Sequence, residues 1–533
     1  MPTLNWIGKD AVIKHHLEVP FHLLKDVPDL ACGDPGTGNL IVQGDNLVAL
    51  KALLPHYAGQ VKCVCIDPPY NTGNEGWAYN DNVNSPVIRE WLGNVVGKEG
   101  ETLDRHDRWL CMMYPRLALL REFLSQDGSV FVMLDDNEIG HLRLLMDEIF
   151  GSQNFVANLV WEKADSPRNS ARQFSEDHDH ILVYSRHPSW RPNKLPRTEA
   201  SNSIYQNPDN DIRGLWIPGD PYANKPYSKG LYTITGPTGR EFSPPAGRFW
   251  RVSEEKLREL DEDGRIWWGP TGAARPSIKR YLSEVSDLVP RTLWNKEDAG
   301  SNRTSKNEMR DIFPESASFA TPKPSSLIER ILQIATNPGD LVIDSFAGSG
   351  TTGHAVLKLN SAAPNQDHRR FIMVEMLPDI ARNIARQRVL RVAEGYTNAK
   401  GEKIEGIGGG FRFCELGEPL FDETGQIRST VKFGELARHV YFSETREPLP
   451  RERVPNTPLL GVCRGVAVYL LFNGILADKS ANGGNVLTRK VLAALPPFQG
   501  PKVIYCAGCL IGAERLTEEG ITIRQTPYEI RVS

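Results

Sequence analysis

Residues 61–66, VKCVCI, form an apolar run that ends in Asp67-Pro68-Pro69-Tyr70. Prolines stop a strand because they remove a ladder donor and fix φ. The same four residues also make a compact set of chemical groups. The Asp67 carboxylate and the Pro68 carbonyl are two acceptors side by side, the prolines fix where that carbonyl points, and Tyr70 offers a flat face for stacking. The stretch is therefore either a plain strand stop or part of a pocket.

A second stretch, 339–356, reads GDLVIDSFAGSGTTGHAV. An apolar run ends in Asp344, passes through Gly348-Ser349-Gly350 and opens a helix. Glycines at such a turn let backbone approach a ligand, and a helix N-terminus aims free N–H groups at it. One strand later, FIMVE ends in Glu375, where a carboxylate commonly accepts from ribose hydroxyls. Gly348, Gly350 and Gly353 satisfy G-x-G-x-x-G literally, so a dinucleotide-dependent oxidoreductase fits this stretch alone. A P-loop does not, since no Lys-Ser/Thr pair follows the glycines.

The elements that must position these groups alternate. Residues 39–56 read as a strand, a turn at Gly44-Asp45 and a helix capped by Asp45. A helix over 107–126, a strand over 129–136 and a helix over 138–150 follow. The rhythm lapses between about 160 and 320, where Pro, Gly, Asn, Ser and aromatics dominate. It returns as a helix at 325–337, a strand at 341–345, a helix at 351–360, a strand at 371–375 and a helix at 378–394. This alternation predicts an α/β domain on a largely parallel sheet, interrupted by a mixed insertion. The glycine-rich stretch 405–410 leads to a C-terminal region.

DPPY, DSFAGSGTT and the linking TPKP (321–324) together resemble the amino-methyltransferases that use S-adenosylmethionine, in the permuted class whose DPPY half comes first. The segments NLIVQGDNLVALKALL, RWLCMMYPRLALLREFLSQDGSVFVMLDDNEIGHLRLLMDEIFG and PKPSSLIERILQIATNPGDLVIDSFAGSGTTGHAVLKLN, with the closing PKVIYCAGCLIGAERLTEEGITIRQTPYEIRV, resemble the modification subunits of type III restriction–modification systems. The likeness is strong over 39–190 and 320–395. Ser345 departs from it, standing where the family more often has Pro or a bulky apolar residue.

The resemblance implies a Rossmann-like, circularly permuted methyltransferase fold with helices on both faces of a mostly parallel sheet. It implies halves at 1–160 (catalytic) and 320–400 (cofactor-binding), a target-recognition insertion at 161–319 and a C-terminal DNA- or partner-contact domain at 401–533. It assigns Asp344, Phe346, Gly348, Gly350 and Thr351 to the methionine-binding turn of S-adenosyl-L-methionine. It gives Glu375 the ribose, Lys323 the wall of the cofactor pocket, and Asp45 the adenine end of the cofactor. The implied reaction is methyl transfer to N6 of an adenine flipped out of double-stranded DNA, with Asp67, Pro68, Pro69 and Tyr70 as the catalytic group. The exocyclic nitrogen is a poor nucleophile until acceptors draw its hydrogens out of the ring plane. Positioning and electrostatics then suffice without a covalent intermediate. A homodimer and a helicase–nuclease partner are implied as well. Cytosine N4 or RNA as the acceptor, and a DNA-binding subunit without turnover, remain the other readings; Asp in DPPY leans toward adenine.

Composition sets the outer bounds. The 533 residues are 40% hydrophobic and 24% charged with net charge −4, so no global basic signal points to nucleic acid. Residues 1–150 carry 12 basic against 21 acidic side chains and residues 321–533 carry 26 against 22, so a DNA face must be local and lie mainly after residue 150. No apolar run nears the roughly 18–20 residues that span a bilayer, and the first residues lack the layout of a signal peptide. Eight scattered cysteines suit a reducing cytoplasm. CAGC (506–509) reads as structural, no metal site is expected, and the acids and histidines of EDHDH (176–180) read as a solvated loop. Trp250 and Trp268 of the insertion face either DNA or a small β-rich core, the core being favoured.

Overall fold

The computed structural model describes residues 3–72, 86–97, 104–167, 169–315, 321–449, 457–472 and 484–526. The expected boundary at 319/320 lies outside them. The chain divides into two compact units, one of residues 1–192 with 291–533 and one of residues 193–290.

The first unit is built on a ten-stranded sheet. Its strands are β1 (His22–Asp26), β2 (Leu40–Gln43), β3 (Val61–Ile66), β4 (Leu124–Leu134), β5 (Phe155–Glu162), β6 (His178–Ser185), β7 (Leu293–Trp294), β8 (Leu341–Asp344), β9 (Arg370–Glu375) and β10 (Arg412–Pro419). Their spatial order is β1-β10-β2-β9-β8-β3-β4-β6-β5-β7. The six strands from β10 to β4 are mutually parallel, β6 is antiparallel to both β4 and β5, and β1 closes the far edge antiparallel to β10. The central parallel strands β2, β9, β8 and β3 are largely buried and mostly apolar, as strands covered on both faces must be.

Helices α1 (Asn46–Tyr57), α2 (Arg105–Phe123), α3 (Ile139–Phe150), α4 (Asn302–Ile312), α5 (Ser325–Ala335) and α6 (Thr351–Ser361) complete the alternation. The α2 helix stops at Phe123 and β4 begins at once, three residues earlier than the sequence periodicity suggests. The segment 378–394 is helical but opens with a short α turn and passes through a π-helical turn, 381–385, before Arg386–Glu394. No described helix is long and apolar enough to cross a membrane.

Two expected boundaries differ from the compact units. Residues 161–192 and 291–315 fall in the first unit, because β6 and β7 extend the main sheet on either side of β5. Past residue 400, β10 pairs in parallel with β2, so the main sheet runs on into the C-terminal region. A four-stranded sheet, Leu459–Cys463, Val466–Leu470, Lys502–Cys506 and Ile521–Gln525, follows. Cys506 of CAGC is buried in its core with Tyr469 and Ile504.

The second unit, 193–290, carries a three-stranded sheet, two short two-stranded ladders and the helix Glu254–Glu262. Trp250 is 0% exposed, stacks on Tyr232 with ring centroids 5.5 Å apart and donates its indole N–H to the Tyr232 carbonyl at 2.8 Å. Trp268 is buried too and donates to Asp261 at 2.7 Å. Both therefore belong to the core. Trp250→Ala is expected to destabilise this unit by about 3–5 kcal/mol, read as a lowered urea midpoint in the full chain.

Candidate active site

The parallel register brings the two motifs to one edge of the sheet. β8 lies between β9 and β3 and is parallel to both, so Glu375, Asp344 and Asp67 all leave the sheet at the carboxyl ends of neighbouring strands. In open α/β sheets this is where ligands bind. A narrow cleft there is lined by Asp67, Lys323, Asp344, Phe346, Gly348 and Thr351, joining residues of both motifs with the TPKP linker.

The DPPY turn is tied down at every residue whose partner is known. Lys323 Nζ donates to Asp67 Oδ2 at 2.6 Å and lies 4.8 Å over the Tyr70 ring. The indole N–H of Trp109, on α2, donates to the Pro69 carbonyl at 2.7 Å. The Tyr70 hydroxyl donates to Asp179 Oδ2 at 3.2 Å. Asn71 follows in the left-handed region with φ 58° and is buried. Its amide donates to the Arg105 carbonyl at 3.0 Å and to the Glu138 carboxylate.

Charge at this edge is concentrated and poorly solvated. Burial pushes the Asp67 carboxyl up, and the Lys323 ammonium pulls it back. Burial also pushes the Tyr70 hydroxyl well up, with Asp179, Asp67 and Asp135 adding to it, so Tyr70 stays a hydrogen donor. Burial raises the Asp344 carboxyl to about 7, against the Thr352 hydroxyl and the Phe346 N–H, which donate to it at 2.6 and 3.0 Å.

The glycine turn is shaped as much from within as for a ligand. Glu375 is fully buried and accepts from the Gly348 N–H at 2.9 Å and the Leu377 N–H at 2.8 Å. Gly350 has φ 77°, and a Cβ there would stand 2.8 Å from the Ala385 carbonyl, so its glycine is required by the close approach of the chain's own backbone. Thr351 donates to the Lys323 carbonyl at 3.3 Å and so ties the turn to TPKP. Asp45 caps α1, its Oδ1 accepting from Leu47 and Val48 at 2.9 and 3.1 Å, and its Oδ2 lies 3.3 Å from Arg116. The neighbouring Asn46 reaches the glycine side instead, donating to the Ser345 carbonyl at 3.0 Å.

Several supporting residues carry no motif. Arg388, fully buried, donates to Ser349, Thr351 and Glu308 at 3.0, 2.7 and 2.8 Å and braces the glycine turn from behind. Glu138 accepts from Asn71 and has His106 and His141 Nδ1 at 2.6 and 2.7 Å, making a His-Glu-His cluster that anchors the DPPY turn. Asp179, inside EDHDH, is 3% exposed in β6 rather than in a solvated loop. Strand alternation could have flagged it, since His178 and His180 then share one face and Asp179 takes the other.

Comparison with known proteins places the chain in a family. Residues 61–386 match the family described as DNA methylase. The chain belongs to this family. Among curated relatives of this chain, the StyLTI Mod subunit of the type III restriction-modification enzyme of Salmonella typhimurium is 31% identical over 73% of this chain and 62% of its own length. The EcoP15I Mod subunit of Escherichia coli is 28% identical over 70% of this chain and 64% of its own length. The type II methyltransferase M.KpnI of Klebsiella pneumoniae is 28% identical, covering 70% of this chain and 88% of its own. The chain spans less than two thirds of the length of these two Mod subunits.

Proposed function

We propose that this chain transfers the methyl group of S-adenosyl-L-methionine to N6 of an adenine in double-stranded DNA, as the modification subunit of a restriction–modification or phage-defence system. The observation that carries the reading is the shared cleft, in which Asp67 of the DPPY turn and Asp344 of the glycine turn emerge from adjacent parallel strands. The residues present suit the cofactor, because a methionine moiety is a zwitterion and the cleft is lined by the acidic Asp344 and the basic Lys323. When bound, S-adenosyl-L-methionine supplies a sulfonium methyl that needs no further activation.

In this reading, Asp344, Phe346, Gly348, Gly350 and Thr351 hold the methionine part. Glu375 takes the ribose, and Asp45 keeps the start of α1 in place beside the adenine end. Asp67 and the Pro68 carbonyl accept the two hydrogens of the flipped amine, and Tyr70 stacks on its ring. Lys323 must withdraw from Asp67 before the amine reaches that carboxylate, because one ammonium now occupies both the acceptor and the aromatic face. Residues 193–290 are assigned target recognition, and a second copy of the chain and a helicase–nuclease subunit are its partners.

Long-read sequencing of DNA from cells expressing the chain, with Asp67→Ala as control, tests the reading. Methylated adenine at one short motif, absent from the control, is expected. Modified cytosine would move the acceptor to N4, and no modified base would favour DNA binding without turnover.

Asp344 adds a pH signature. Its carboxyl titrates near 7, so its charge is lost as pH falls through that value. Affinity for S-adenosylhomocysteine, whose amino group is cationic, should weaken as pH drops from 8 to 6. Asp344→Asn should bind weakly throughout, without that slope, which calorimetry at several pH values would check. For folding the sign is opposite. A carboxyl raised above its unfolded value costs stability that is absent below about pH 4, grows as pH rises from there to about 7 and is complete above it.

A further inference from the structure

Asp179 and Lys163 form a second ion pair at the edge where the motifs meet. In β6, His180 pairs with Leu134 of β4 and Asp179 pairs with Trp161 of β5, which carries Asp179 to the same edge as Asp67. Alternation sends His178 and His180 to one face, where His180 Nε2 lies 3.0 Å from Asp136, and Asp179 to the other. There Asp179 Oδ2 accepts from the Tyr70 hydroxyl at 3.2 Å and Oδ1 accepts from Lys163 Nζ at 2.6 Å. Lys163 follows β5 directly, and its backbone N–H donates to the Asp177 carbonyl at 2.9 Å, so the pair sits on rigid strand ends. A carboxylate this buried is stable only with a compensating charge at fixed distance.

The consequence lies in the one proton that Tyr70 can donate. Its hydroxyl is bonded to Asp179, and Asp67 of the same turn is another carboxylate whose charge acts on it. A tyrosine donating to Asp67 would occupy an acceptor that the incoming amine needs. A tyrosine donating to Asp179 leaves Asp67 to the amine and fixes its own ring plane for stacking. From this geometry we infer that Asp179, held by Lys163, is a positioning residue for methyl transfer, acting through the Tyr70 hydroxyl. The inference rests on the assignment of DPPY as the base-binding turn.

The groups facing Asp179 are Tyr70 and Asp67 from the DPPY turn, Lys163 after β5, Asp135 after β4 and, over the Tyr70 ring, Lys323. Of these, Lys163 is its cationic hydrogen-bond partner, so removing that ammonium leaves a buried carboxylate uncompensated and loosens its hold on the Tyr70 hydroxyl.

The test is single-turnover transfer of tritiated methyl from S-adenosyl-L-methionine, catalysed by the full chain, to a duplex bearing the motif identified by long-read sequencing. Asp179→Asn, which keeps the shape, should slow transfer about 10-fold while KM for DNA and affinity for S-adenosylhomocysteine move less than twofold. Tyr70→Phe should slow it similarly, and the double variant should be no slower than Tyr70→Phe alone. Lys163→Gln should slow transfer with KM for DNA and cofactor affinity unchanged, Lys163→Arg should restore the rate, and the loss should vanish in the Tyr70→Phe background. A wild-type rate in Asp179→Asn, full multiplication of the two single effects, or cofactor affinity falling in step with the rate would each overturn the inference. Asp67→Ala runs alongside. Methylation retained there overturns the base-binding turn itself, whereas an inactive Asp67→Ala beside a wild-type Asp179→Asn overturns only the role of Asp179.

Discussion

Asp67→Ala is expected to lower methyl transfer by about 10²–10³-fold, the cost of removing one preorganised polar group from a reacting centre. Affinity for S-adenosylhomocysteine should stay within about twofold, because Asp344 and the glycine turn are held by Thr352, Glu375 and Arg388 rather than by Asp67. The alanine leaves Lys323 without the carboxylate it touches at 2.6 Å, so Asp67→Asn, which keeps an oxygen for the ammonium, is the companion variant. Tritiated methyl incorporation gives the rate and calorimetry the affinity. Near-normal incorporation by both variants would remove Asp67 from the chemistry. Loss of cofactor binding in both would make it part of the cofactor site instead.

Lys323→Met should have the second largest effect, and it should appear in stability as well as activity. The Lys323 and Asp67 side chains are 8% and 14% exposed, and removing one partner of a pair this buried costs about 3–5 kcal/mol. Burial already raises the Asp67 carboxyl, and Lys323 opposes that rise. Without the ammonium the carboxyl titrates higher still. A group whose folded pKa is raised destabilises as pH rises through it, so the variant should lose more stability at pH 8 than at pH 5. Methylation requiring the ionised carboxylate should fail at a higher pH than in the wild type as pH falls. Urea unfolding at the two pH values and a pH–rate profile measure both. Equal stability loss at pH 5 and pH 8 would show that Lys323 matters for packing rather than for the Asp67 charge.

The ion pair also explains why the cleft is narrow. Lys323 sits on the Asp67 carboxylate and over the Tyr70 ring, where the proposed reading puts the amine. The Trp109 and Asn71 contacts keep the DPPY backbone fixed while that cation moves, so the moving part is a side chain rather than the turn.

The sequence by itself determined the two motifs, the strands that end in them and the α/β class. These are local matters. Apolar runs stopped by proline or glycine specify strands, and Asp45 before Asn46 specifies a cap that the structure shows hydrogen-bonded. The tertiary structure alone decided which strand ends became neighbours. Val61–Ile66 and Leu341–Asp344 are far apart in the chain, and only their parallel pairing makes Asp67 and Asp344 walls of one cleft. It likewise decided that β6 runs antiparallel, which turned Asp179 from an acid in a polar run into the partner of Tyr70. The twofold alternation that separates it from His178 and His180 was present in the sequence, but the strand it belongs to was not legible among so many polar residues. Arg388 was hidden for the same reason. A buried arginine is tolerable only where Ser349, Thr351 and Glu308 converge on it, and that convergence exists only once the chain has folded.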